Sequence, residues 1–198
     1  MRKMTLTKSN SKSIAEHKNA NIADITEAFS FYNNILKPVI APFYAQNKDG
    51  MHGLNTHIKS VVFRGIDYAL HMGAEPVPVI FACAFHDMAR TSDEFDLNHG
   101  THAIPAAIKV MKQFPGLLSQ DTRLSILHAI ANHTGGMVAP DYISACLWDA
   151  DRTRLAWSYG FEDSFFNTQR GKYVAQHYGQ YLEYQKKFFP KFDWSRQY

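Results

Sequence analysis

The sequence lacks the features that are typical of disulfide-rich, membrane-spanning or nucleic-acid-binding proteins. Only 2 of its 198 residues are cysteines, too few for a disulfide-stabilised scaffold. No apolar run reaches the roughly 18 residues of a membrane-spanning helix, so we expect no membrane segment. No basic run is longer than Lys186-Lys187, and the net charge is only +3. Nothing in the charge pattern therefore indicates nucleic-acid binding.

The two cysteines and the first residues of the chain favour a reducing, cytoplasmic location. Cys83 and Cys146 each lie within an apolar run, which is typical of buried free thiols. The opening residues, MRKMTLTKSNSKS, include basic side chains but no apolar core of a signal peptide. We therefore predict a cytoplasmic protein.

Hydrophobic patterning predicts an all-α, single-domain bundle. We assign residues 1–20 to a polar N-terminal segment and residues 21–198 to the helical domain, since no repeat or linker divides the latter. A chain of 198 residues can bury a core without disulfides. Apolar residues at helical spacing predict helices near 22–44, 54–73, 101–113, 120–133, 140–157 and 168–189. Pro38 is expected to end or kink the first of these, and Gly73 to close the second.

One apolar run, VPVIFACAFHD, could form either a buried strand or a buried helix. Its prolines, Pro76 just before the run and Pro78 within it, lie where the first turn of a helix tolerates proline. The neighbouring segments all have helical periodicity, and no hairpin signal flanks the run. We therefore predict a helix that ends at the dipeptide His86-Asp87.

Histidine and aspartate residues on these apolar segments are candidate metal ligands. His86 and Asp87 follow the apolar run, and burying an imidazole beside a carboxylate is costly unless both are satisfied. A divalent cation satisfies both, because it accepts neutral nitrogen and anionic oxygen donors. His57 lies on the inward face of the preceding helix. Taken alone, His86 could cap the end of its helix with Asp87 starting the loop, and His57 could be a hydrogen-bonded core histidine.

The segment SACLWDADRTRL supplies a third candidate. Asp149 and Asp151 lie about 200° apart on a helix, so we expect only one of them to face the core. Leu147 and Leu155 flank Asp151 at a distance of four residues, which favours Asp151 as the buried one. Together with the histidines, it suggests a cation held by three separate helices.

The order His…His-Asp…Asp, within HGLNTHIKSV, FACAFHDMAR and CLWDADRTRL, resembles the HD superfamily of metal-dependent phosphohydrolases. The segments LNHGTHAIPAA, ANHTGG and GFEDSFFNTQRGK extend the similarity, which covers roughly residues 50–175. The resemblance implies an HD-type helical bundle and a divalent metal ion (Mn, Co, Mg, Fe, Ni or Zn) held by His57, His86, Asp87 and Asp151. His99 and His133 lie where binuclear relatives carry further ligands, which makes a second metal ion a candidate.

The same resemblance implies hydrolysis of a phosphate ester, such as a nucleotide or another small phosphorylated molecule, by metal-activated water. Asp87 could act as ligand and proton acceptor, and a second-sphere acid or base could be His52, Asp93 or Asp96. The developing phosphoryl charge requires cations, for which we consider Lys59, Arg64 and Arg90.

Two other functions remain open at this stage. An HD-type di-iron oxygenase would need a full ligand set for two metal ions, which His99 and His133 supply only in part. A non-catalytic regulatory module could use the aromatic C-terminus, YLEYQKKFFPKFDWSRQY, as a partner surface. The same aromatic residues are compatible with a homodimer.

Overall fold

The computed structural model describes residues 20–44, 50–94 and 96–190, without the side chains of residues 157–159. Within these ranges every regular element is helical, which confirms the predicted all-α fold. The predicted polar segment 1–20 lies outside the described residues except for Ala20. None of the described helices is long and apolar enough to cross a membrane. The α-helices are α1 (Ile22–Phe31), α2 (Lys37–Ile40), α3 (His57–His71), α4 (Pro76–Phe85), α5 (His99–Met111), α6 (Gln120–Asn132), α7 (Tyr142–Tyr159), α8 (Gln169–Gln176) and α9 (Tyr178–Phe188).

The apolar run with two possible conformations forms the helix α4. Pro76 occupies its first turn, where the missing N–H has no intrahelical partner to lose. Every residue from Pro78 to Phe85 is buried, because α4 contacts α3, α6 and α7. A helix that is hydrophobic on all sides requires such surroundings. Since α4 ends at Phe85, the next two residues emerge inside the bundle.

The first predicted helix changes type along its length. It begins at Ile22, where the side chain of Asn21 accepts a hydrogen bond from the Ala23 N–H at 3.0 Å. A π-helical turn, Tyr32–Leu36, precedes Pro38, and a 3-10 turn, Ala41–Tyr44, follows α2. The π turn lies where the proline cannot donate to the helical ladder, so the change of helix type has a local cause.

Helix α3 packs tightly against α4. It starts at His57, three residues after the start that its hydrophobic pattern predicted, and ends before Gly73. The φ of Gly73 is +66°, in the left-handed region that glycine adopts most easily. A Cβ atom on Gly65 would lie 2.6 Å from Cys83 Sγ, so the two helices approach closely at this point. This approach draws the N-terminus of α3 toward the C-terminus of α4. Cys83 and Cys146 are both buried free thiols, as predicted.

A buried ion pair attaches the C-terminal helices to α3. The Asp67 carboxylate accepts hydrogen bonds from Arg170 Nε and Tyr181 Oη, each at 2.9 Å. Burial would raise the pKa of Asp67, but His71, Arg170 and Tyr181 hold it below its ordinary value. Phe63 of α3 packs its ring against those of α9. The described part of the aromatic C-terminus therefore belongs to the core.

We expect Asp67→Ala to lower the free energy of unfolding by about 3–5 kcal/mol, because the Arg170 charge would stay buried without its partner. Urea denaturation followed by circular dichroism measures this loss. The control is Asp163→Ala, since the Asp163 carboxylate pairs with Lys172 at the surface and its removal should change the value by less than about 1 kcal/mol. Equal losses in the two variants would contradict the structural role of the buried pair.

Candidate metal centre

Three helices bring four potential ligands together. His57 is the first residue of α3, His86 and Asp87 follow α4, and Asp151 lies within α7. These helices contact one another pairwise. The two histidines and Asp87 are buried, and Asp151 is partly exposed. Polar donors from distant parts of the sequence therefore share one pocket in an otherwise apolar interior.

The donor atoms lie at the separations that one cation requires. His57 Nε2 lies 2.9 Å from Asp151 Oδ1, 3.3 Å from His86 Nε2 and 3.7 Å from Asp87 Oδ2. His86 Nε2 lies 3.3 Å from Asp87 Oδ2 and 3.6 Å from Asp151 Oδ1. Ligands bound at about 2.0–2.2 Å, with bond angles of about 90–110°, are separated by about 2.8–3.6 Å. Four of these five separations lie within this range and the fifth, between His57 Nε2 and Asp87 Oδ2, exceeds it by 0.1 Å, so these donor atoms are candidate ligands of a divalent ion.

The electrostatics of the pocket call for a positive charge. Burial alone would raise the pKa values of Asp87 and Asp151, but the surrounding histidines hold both well below the ordinary value. Burial would lower the pKa of His86, yet these two carboxylates raise it to about 10. The pKa of His57 is lowered by burial. Two carboxylates thus compete for one cation, which can be a proton on His86 or a divalent metal ion.

The tautomer of His86 suits metal binding. Its Nδ1–H donates to the Cys83 carbonyl oxygen at 2.9 Å, so Nε2 is the nitrogen that faces the pocket and can bind a metal ion in place of a proton. A hydrogen bond of this kind on the far nitrogen is typical of metal-bound histidines, because it fixes both the tautomer and the ring orientation.

A second group of donors lies on the other side of Asp87. His99 Nε2 lies 3.0 Å from Asp87 Oδ1 and 2.7 Å from His133 Nε2. His133 Nδ1 donates to the Ile130 carbonyl at 2.7 Å, which leaves its Nε2 as an acceptor that faces His99 Nε2, and His99 Nδ1 contacts the Asp96 carbonyl. Burial and the neighbouring His86 lower the pKa of His133 to about 4, which disfavours an extra proton between them. The Nε2 atoms of His99 and His133 and Asp87 Oδ1 could hold a second cation.

Gly100 allows the second pair of histidines to meet. A Cβ atom at this position would lie 2.1 Å from the Ile130 carbonyl oxygen and 2.8 Å from His133 Nδ1. Helices α5 and α6 therefore cross at a distance that only glycine permits. This crossing places His99, at the start of α5, against His133, which follows α6.

An open cleft of about 330 Å³ gives access to both groups of ligands. His52 reaches it from a loop, with Nδ1 2.9 Å from Asp87 Oδ2. The Asp93 carboxylate accepts hydrogen bonds from the N–H groups of Met51 and His52 and so fixes that loop. Arg90 Nη1 lies 3.1 Å from His99 Nδ1. The residues that line the cleft are His52, Asp87, Arg90, Asp93, Asp96, Leu97, His99, His133, Thr134, Asp151, Arg152 and Leu155.

Two of the cations considered for the phosphoryl group lie elsewhere. Arg64 is 1% exposed, and its Nε donates to the Ala150 carbonyl at 2.6 Å. It shares the inward stripe of His57, but seven residues of helix carry it about 10 Å deeper into the bundle. The ammonium group of Lys59 lies over the Phe189 ring. The expectation that Arg64 and Lys59 contact a substrate phosphate in this cleft is therefore corrected. Of the three cations considered, Arg90 is the one that lines the cleft.

The expectation that only one aspartate of α7 faces the interior is also corrected. Asp149 is 0% exposed, and the Asp151 side chain is 19% exposed. The Asp149 carboxylate accepts hydrogen bonds from the N–H groups of Asn167 and Thr168 at 2.8 and 2.6 Å. Both aspartates are enclosed because α7 is covered by α3, α4 and α6 as well as by α8. Asp151 meets the histidines, whereas Asp149 fixes the start of α8.

Arg152 is a residue of the cleft that the sequence patterns did not indicate. Its guanidinium donates to the carbonyl oxygens of Phe165 and His133, each at 3.1 Å, and to that of Gly136. It therefore positions the backbone that carries His133. Its place directly after Asp151 was the available signal.

No protein-family profile matches the sequence, and no curated protein matches it significantly. A solved structure is similar, and it is described as a predicted HD superfamily hydrolase from an uncultured Thermotogales bacterium. The two are 16% identical, the TM-score is 0.60, and the match covers 82% of this chain and 94% of that one. The chain therefore has the HD-type helical fold, and the resemblance to the HD superfamily is confirmed at the level of the fold.

Proposed function

We propose that the protein is a metal-dependent phosphohydrolase that acts on an ester of a small phosphorylated molecule. The observation that carries this proposal is the convergence of donor atoms beside an open cleft, where His57, His86 and Asp151 form one candidate ligand group and Asp87 joins His86 and His133 in another. The likeness to the solved structure supports the fold on which the proposal rests. The donor set of imidazoles and carboxylates suits manganese, cobalt, magnesium, iron, nickel or zinc.

A bound divalent ion would act as a Lewis acid toward a phosphoryl oxygen and would lower the pKa of a bound water molecule. The chain itself supplies positioning and proton transfer. His52 lies beside Asp87 on a loop that Asp93 fixes, so it can hold or deliver a proton in the cleft. Arg90 lines the same cleft and offers a cation to the developing charge. Asp93 is thereby a positioning residue for His52.

The second donor group supports a binuclear form of the site. His99 and His133 face Asp87 Oδ1, whereas the first group faces Asp87 Oδ2. His99, His133 and Asp87 would therefore hold a second cation, which would supply further charge stabilisation for displacement at phosphorus.

The lining of the cleft favours hydrolysis over the alternatives. Arg90 and Arg152 both line it and provide positive charge for an anionic substrate. A di-iron oxygenase is compatible with two cations, but with an uncharged substrate it would not need these guanidinium groups. A purely regulatory module would not need an open route to the ligands.

We expect Asp87→Ala to lower manganese-dependent hydrolysis of p-nitrophenyl phosphate and nucleotides by at least about 100-fold, because both donor groups lose their shared carboxylate. Steady-state assays measure the effect. Asp121→Ala serves as control, since Asp121 is an exposed aspartate at the start of α6 and its loss should leave the rate unchanged. Equal activity of wild type and Asp87→Ala would refute the proposed site.

We expect the wild-type protein to bind two manganese ions per chain and His133→Ala to bind one, because the second donor group loses a nitrogen ligand. Plasma mass spectrometry after gel filtration gives the stoichiometry. His102→Ala is the matched control, since that histidine is exposed and lies outside both donor groups. An unchanged stoichiometry in His133→Ala would argue against a second ion at this position.

A further inference from the structure

A second cavity, of about 310 Å³, adjoins the metal cleft. The two cavities share the side chains of Thr134, Arg152 and Leu155. Each is near the lower limit for a small-molecule pocket, and together they suit a ligand with two chemically different parts. The second cavity, which we name the apolar subsite, is lined by Thr134, Met137, Arg152, Leu155, Ala156, Gly160, Glu162, Phe165 and Phe166.

The apolar subsite exposes large hydrophobic side chains to solvent. Met137 is 44% exposed, Leu155 is 52% exposed and Phe165 is 42% exposed. Single exposed apolar residues are ordinary, but a group of them around a cavity marks a surface that a ligand covers. Their position beside the ligands of the metal centre indicates that the covering group belongs to a molecule bound in the cleft.

The wall between the two cavities is held in place by Arg152. This residue donates to the carbonyl oxygen of His133, beside the metal cleft, and to that of Phe165, beside the apolar subsite. The ring of Phe166, another lining residue of the apolar subsite, stacks with that of Phe161 at 5.5 Å. The distance between the metal ligands and the apolar subsite is therefore set by the fold.

We infer that the apolar subsite binds the organic group of the substrate, so that the substrate is a phosphate monoester of an apolar alcohol or phenol. This inference rests on the proposed function, in which the phosphate lies at the metal ligands. The polar lining residues of the apolar subsite are Thr134, Arg152 and Glu162, so a sugar there would exchange most of its hydrogen bonds with water for contacts with hydrophobic side chains, which is unfavourable. An aliphatic or aromatic group gains from the same contacts.

Binding of phosphonates, which mimic phosphate monoesters but cannot be hydrolysed, tests the inference. Isothermal titration calorimetry on the manganese-loaded protein compares hexylphosphonate with methylphosphonate. Each methylene group that is fully buried strengthens binding by about fourfold, so we expect hexylphosphonate to bind at least about tenfold more tightly. In Leu155→Ser this ratio should fall at least about threefold.

Leu124→Ser is the matched control, because Leu124 is 55% exposed on α6 and lines neither cavity. It should leave the ratio unchanged, and both variants should retain their helical circular dichroism. Equal affinities for the two phosphonates, with Asp87-dependent hydrolysis intact, would overturn the apolar subsite alone. The same fall in ratio for both leucine variants would also overturn it. Binding of neither phosphonate, together with hydrolysis that does not need Asp87, would overturn the proposed function.

Discussion

Two carboxylates and two imidazoles share a pocket in the apolar interior, and only a positive charge among them makes their burial stable. The guanidinium groups of Arg64 and Arg152 donate hydrogen bonds to backbone carbonyl oxygens rather than to these carboxylates. A proton on His86 or a divalent ion can supply it, and the separations between donor atoms match the ion. The remaining features of the site follow from this requirement.

The fold satisfies the requirement through close helix contacts. Gly65 lets α3 approach α4, and Gly100 lets α5 approach α6, so that each pair of helices presents a pair of histidines. Asp87 lies between the two pairs and directs one carboxylate oxygen to each. Arg152 then connects the second pair to the apolar subsite through the backbone it holds. The proposed metal ligands and the proposed substrate contacts thereby depend on the same helix contacts.

The sequence allowed the helices and the central donor set to be predicted, because periodicity identifies inward faces and buried polar residues stand out on them. Periodicity does not show how deep in the bundle a residue on an inward face lies, so Arg64 was expected in the cleft although it lies deeper. From the sequence we also expected α7 to have one buried side, whereas Asp149 and Asp151 both face other helices. Contacts made through backbone carbonyls, such as those of Arg152, leave no periodic pattern, so the wall of the cleft emerged only from the structure.

The central claim is that one cation lies among the four donors. X-ray diffraction from crystals grown with manganese, recorded on both sides of the manganese absorption edge, tests it most directly. The account predicts an anomalous peak about 2.0–2.2 Å from Nε2 of His57 and His86 and from a carboxylate oxygen of Asp87 and Asp151. A pocket without such a peak, in which these side chains are hydrogen-bonded only to one another, would contradict it.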